Sequence, residues 1–75
     1  DLRGKRGDEA MYEVKDFLET ANMLQIKHVE ILHGKGYGIL RKLIRDYINT
    51  VDFVESCGDA PIDMGGDGIT IVKLM

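Results

Sequence analysis

The residues best placed to do chemistry lie between His33 and Gly38, in the run His-Gly-Lys-Gly-Tyr-Gly, which joins an apolar stretch to a basic one. Glycines at alternate positions, Gly34, Gly36 and Gly38, can take positive φ and leave amides uncovered by side chains, a backbone suited to an anion. His33 adds a titratable acid or base, and Lys35 adds a cation. A helix beginning at about Leu40 would turn the positive end of its dipole toward the same turn. Phosphate is the guest this chemistry implies. Tyr37 either stacks on a base or covers the turn, and His33 has a plainer alternative role, holding the turn by a bond to the backbone.

These residues need elements to position them. Steps of three and four connect Ala10, Met11, Val14, Phe17, Leu18, Ala21 and Leu24, opposite Glu9, Glu13, Asp16 and Glu19, and predict an amphipathic helix capped by Asp8. His28 to Leu32 reads as a strand. Leu40, Leu43, Ile44, Tyr47 and Val51 mark a second helix ending near Thr50. Val51 to Cys57 and Ile69 to Leu74 are β-branched and read as strands, separated by a loop from Gly58 to Gly68. With Asp1 to Arg3 as a short first strand, the order is β-α-β-α-β-β. That alternation predicts an α/β (α+β) two-layer sandwich, a four-stranded, mostly parallel mixed sheet with both helices on one face.

Parallel neighbours would place the ends of the first two strands together, where ligands of open α/β sheets gather. Asp1, Arg3, Lys5, His33 and Lys35 then converge on one edge: a carboxylate in Asp1, a charge stabiliser in Arg3, and an acid or base in His33. Such a set suits phosphodiester cleavage, with His33, Asp1 and Arg3 as the catalytic group. Gly34, Lys35, Gly36, Tyr37, Gly38, Lys5, Arg6, Arg41 and Lys42 would bind the phosphate or nucleic acid.

Seventy-five residues allow one domain with a shallow surface site. The single cysteine, Cys57, cannot make an internal disulfide or a multi-cysteine zinc site and suits a reducing, cytoplasmic setting. No apolar run approaches the roughly 18 residues of a membrane span, so no membrane partner is expected. The net charge is −3, yet Asp1 to Gly7 and His33 to Arg45 are basic, whereas Asp46 to Thr70 carries only acids. Sorted in this way, one end could be cationic. Asp59, Asp63 and Asp67 offer a weaker alternative, a hard divalent ion. A dinucleotide site fits poorly: Gly-x-Gly-x-Gly misses the fingerprint by one residue, and no Gly-Lys-Ser/Thr element is present.

Three segments together, Asp1-Leu2-Arg3-Gly4, His33-Gly34-Lys35-Gly36 and Gly65-Gly66-Asp67-Gly68-Ile69-Thr70, resemble the motifs of the Smr (small MutS-related) domain in order and separation. Arg3, where other members often carry His, is similar to the version at the carboxyl end of the second bacterial MutS subfamily. The resemblance covers essentially the whole chain. It implies a nucleic-acid-binding domain, often a nicking endonuclease on DNA or RNA, appended to a MutS-like ATPase through which oligomerisation would occur. Relatives are linked to DNA recombination, mismatch-related repair and ribosome rescue, so DNA, RNA and the ribosome are the expected partners. The implied fold resembles the carboxyl-terminal domain of translation initiation factor three, with the last strand antiparallel to the others. By motif position, Asp1, Arg3, His33, Gly34 and Gly36 would form the active or substrate-binding edge. A divalent metal such as magnesium or manganese is compatible with cleavage, and ATP would belong to the parent domains. The competing reading is a binding module without chemistry of its own.

Overall fold

A computed structural model describes residues 1–36 and 38–75 of the chain. The sequence-based expectation for Tyr37 therefore falls outside the described residues. The three-and-four periodicity produces the first helix, α1 (Gly7–Met23), which buries Ala10, Val14, Leu18 and Ala21 on one stripe. Phe17 and Leu24, expected on that stripe, instead stay exposed. Arg6, not Asp8, holds the cap position; the Asp8 carboxylate accepts the Glu9 amide inside the first turn, where both acids suit the helix dipole.

The strand β1 (His28–Leu32) follows, with Val29 and Ile31 inward. The second helix, α2 (Ile39–Ile48), buries Ile44 and Ile48 and half-buries Leu40 and Tyr47. Then come β2 (Val54–Asp59) and β3 (Ile69–Leu74). The strand expected from Val51 begins three residues late because the Val51 amide closes a turn on Ile48 and the Val54 amide bonds the Val51 carbonyl. Two short 3-10 turns, Ile62–Met64 and Gly66–Gly68, fold the intervening loop back on the sheet.

The sheet order is β1-β3-β2, and both pairings are antiparallel. The expected four-stranded, mostly parallel sheet is corrected on two counts. First, β1 and β2 do run in the same direction, but they never pair; β3 lies between them and opposes both. Second, the segment Asp1 to Arg3 is not a strand. The Asp1 carboxylate accepts the Arg3 amide at 3.0 Å, and the Lys5 amide turns back to the Leu2 carbonyl at 3.2 Å. A local side-chain bond of this kind competes with a ladder. One tie remains, from the Leu2 amide to the Leu32 carbonyl at 2.7 Å.

Both helices contribute to one core. Val14 and Leu18 of α1, Ile44 and Ile48 of α2, Val29 and Ile31 of β1, and Val72 and Leu74 of β3 belong to a single apolar cluster, joined by Leu2. The two-layer expectation therefore holds for an α+β domain. No helix is long and apolar enough to cross a membrane among the described residues.

Candidate nucleic-acid interface

The edge beyond Leu32 gathers three segments that lie far apart in sequence. Leu2 is tied to Leu32, as above, and the side chain of Arg3 lies over Gly34, so a Cβ at Gly34 would sit 3.2 Å from Arg3 Cγ. Gly34 has φ +79, and both the space and the backbone geometry there call for glycine. The amides of His33 and Gly34 both donate to the Gly68 carbonyl, at 3.1 and 3.0 Å. The Lys35 stem packs on Gly68, where a Cβ would stand 3.4 Å from Lys35 Cγ. Of the five residues expected on this edge, Asp1, Arg3, His33 and Lys35 are brought together, through turn contacts rather than parallel strands, whereas Lys5 turns to Glu13 of α1.

Within that edge the donors are not all free. Because Gly68 takes the His33 and Gly34 amides, these two amides are not available as an anion cradle. The remaining candidates are the amides of Lys35 and Gly36 and those of Ile39 and Leu40 in the first turn of α2, none bonded to a described backbone carbonyl. Gly38 caps α2 in the left-handed conformation, φ +77, and no side chain of the described residues hydrogen-bonds the helix end. The positive end of the helix dipole is directed toward the turn.

His33 is 4 % exposed, far less than expected of a residue that meets substrate directly. Its Nδ1–H donates to the Gly34 carbonyl at 2.9 Å, and Nε2 lies 2.7 Å from the Thr70 hydroxyl. The same hydroxyl accepts from Arg45 Nε at 3.0 Å, and Arg45 continues to Asp59, which also binds Arg41. Of these, Thr70, Arg45 and Asp59 escaped the sequence reading as site residues. One signal was present: alternation puts Thr70 on the same face as Val72 and Leu74, and a hydroxyl on a core face needs a partner.

The expectation of a cationic end is corrected by the ion pairs. Arg3 makes a two-pronged pair with Asp1, closest at 2.7 Å; Lys5 meets Glu13 at 3.2 Å, Arg6 meets Asp8 at 3.6 Å, and Lys35 meets Asp67 at 3.8 Å. Arg41 turns to Asp59 and Lys42 to Asp46 on its own helix, so no described contact joins either to the turn. Acids that are segregated along the chain meet bases in space: Asp59, at the end of β2, reaches Arg41 and Arg45 of α2, and Asp67, in the loop before β3, reaches Lys35 of the turn. The Arg41 guanidinium, with Arg45 beside it, holds the Asp59 carboxyl below its ordinary pKa. Asp59, Asp63 and Asp67 do not come together, and no group of three potential ligands exists among the described residues. Exposed pairs of this type are worth about 0–1 kcal/mol each, so a phosphate can displace the carboxylates from Arg3 and Lys35.

Comparison with known proteins adds an independent finding. The family model described as the Smr domain matches residues 1–75. Endonuclease MutS2 of Helicobacter pylori (strain ATCC 700392 / 26695) is 45% identical over 74 residues, covering 99% of this chain and 10% of that protein. Endonuclease MutS2 of Levilactobacillus brevis is 44% identical over 72 residues, covering 96% of this chain and 9% of that protein. The chain thus spans about a tenth of the length of these curated relatives. The crystal structure of the Smr domain of Thermus thermophilus MutS2 superposes with a TM-score of 0.96 at 45% identity, covering 100% of this chain and 94% of that one. YdaL, a stand-alone small MutS-related protein from Escherichia coli, superposes with a TM-score of 0.89 at 26% identity, covering 97% and 62%.

Proposed function

This chain belongs to the Smr domain family, and from that premise we propose that it binds the sugar–phosphate backbone of DNA or RNA at the edge where its three motifs meet and nicks it. The carrying observation is the meeting itself: Arg3 over Gly34, and Gly68 holding the His33 and Gly34 amides. In this reading Arg3 and Lys35 exchange their carboxylate partners for phosphate oxygens, which the first turn of α2 also attracts. Asp1, released by Arg3, becomes an exposed carboxylate beside the bound phosphate and serves as proton acceptor for an attacking water. His33 reaches substrate only if its ring lets go of Thr70; otherwise it acts by holding the turn. We take the domain to be one part of a larger MutS-like ATPase, as the endonucleases it resembles are about ten times its length.

A second reading, a binding module without chemistry, is favoured by one observation: both ring nitrogens of the buried His33 are already engaged. One experiment separates the two. The domain is incubated with supercoiled plasmid, single-stranded RNA and a branched duplex, with and without magnesium or manganese, alongside Arg3→Gln. Binding that weakens linearly in log K against log salt, with a slope smaller by about one in Arg3→Gln, supports the interface. Conversion of supercoiled to open-circular plasmid supports nicking. Binding without any cleavage leaves the module reading, and salt-independent binding overturns the interface itself.

A further inference from the structure

The polar chain behind His33 has a direction, and the direction can be derived. A carbonyl oxygen carries no proton, so the 2.9 Å contact to Gly34 places the proton on His33 Nδ1. Arg45 Nε brings its own proton to the Thr70 hydroxyl at 3.0 Å, leaving the hydroxyl proton to point at His33 Nε2, 2.7 Å away. Asp59, which can only accept when ionised, anchors Arg45 at the far end. The links run one way: Asp59 holds Arg45, Arg45 donates to Thr70, Thr70 donates to His33, and His33 donates to the Gly34 carbonyl. Thr70 is fully buried and His33 nearly so, while none of the buried side-chain polar atoms among the described residues lacks a partner. In a low-dielectric setting such a chain polarises its own members.

The last link controls a backbone atom. In a planar trans peptide the C=O and the following N–H point in opposite directions, and there is no cis bond among the described residues. Pinning the Gly34 carbonyl on the imidazole therefore aims the Lys35 amide away from the ring. That amide is one of the donors without a described backbone acceptor.

We infer that Thr70, Arg45 and Asp59 are positioning residues, which fix His33 as its Nδ1–H tautomer and through it set the Lys35 amide as a phosphate donor. The role of that amide rests on the proposed interface; the tautomer does not. Residues from three elements, Asp59 of β2, Thr70 of β3 and Arg45 of α2, thereby determine its geometry. The relay also gives the His-Gly pair a reason to be adjacent in sequence: the ring can reach only the carbonyl next to its own residue if it is to turn that one peptide.

The test uses the whole domain, with ring 15N spectra of His33 recorded in alkaline buffer, where an imidazole is neutral, and titration with a labelled single-stranded oligonucleotide. Wild type should show a protonated Nδ1 and an unprotonated Nε2. Thr70→Val should lose that pattern and bind about tenfold more weakly, and Thr70→Ser should restore both. Should Thr70→Val fail to fold, Arg45→Met leaves the hydroxyl in place but free to accept, and the ring should become a mixture of tautomers. A wild-type ring protonated on Nε2 overturns the inference. So does a folded Thr70→Val or Arg45→Met protein with wild-type spectra. If wild type binds no oligonucleotide, the proposed interface falls, while the spectra still decide the relay.

Discussion

Replacing Gly34 by alanine puts strain and a steric shift at the point where Arg3 crosses the turn. The residue sits at φ +79, where an L side chain costs about 1–2 kcal/mol. The new Cβ would also meet Arg3 Cγ at 3.2 Å, so the arginine must give by a few tenths of an ångström. For a domain of this size the backbone cost alone corresponds to a melting-temperature loss of roughly 5–15 °C. Gly4 is the matched control for stability: it has φ +78, but a Cβ there meets nothing within 4 Å. Gly4→Ala should thus lose slightly less stability than Gly34→Ala, and the difference reads the Arg3 contact. In binding, Gly34→Ala should forfeit one charge-assisted contact, about 1.5 kcal/mol or tenfold in Kd. Thermal unfolding followed by circular dichroism gives the first quantity and oligonucleotide titration the second. Full affinity in a folded Gly34→Ala domain, or a larger stability loss in Gly4→Ala, would refute the placement of Arg3 over the turn.

Other expectations follow from the same contacts. Asp67→Asn removes the acid that faces Lys35, and should tighten oligonucleotide binding about two- to fivefold at low salt, the gain vanishing at high salt. Asp59 has a lowered folded-state pKa, so its contribution to stability is present above the ordinary carboxylate range and is lost as pH falls through the folded value; urea midpoints measured from neutral to acid pH should fall less steeply in Asp59→Asn. Leu18→Ala empties a fully buried position facing both helices and the sheet, and should cost about 2–5 kcal/mol, read from denaturant unfolding.

Much of the architecture was legible because it depends on local pattern. Apolar spacing places both helices to within a residue or two of their ends, and the β-branched run from Ile69 to Leu74 coincides with β3. Pairing was not legible. The alternation of strands with helices gives direction to β1 and β2, but nothing in it states that a later strand will slide between them. Asp1 to Arg3 looked like a strand because its neighbours in sequence do not reveal that Asp1 will bond its own backbone two residues on. For the site, the turn from His33 to Lys35 does lie beside Arg3, although the parallel strands from which that was expected are absent, while charge sorting along the chain misled: Asp67 and Asp59 arrive from the far end of the sequence to meet Lys35 and Arg41. Arg45, counted in the sequence only as the end of a basic stretch, is the half-buried donor to Thr70.

The position of β3 also constrains the order in which the molecule can be assembled. Synthesis delivers β1 first and β2 second, and among the described residues neither has a strand to pair with until residues 69–74 arrive to fill the gap between them. A nascent chain stopped before Ile69 holds two helices and two strands with bare edges and no sheet. Cooperative folding must therefore wait until almost the whole domain has left the ribosome, and loss of residues 69–74 should dissolve the fold rather than trim it.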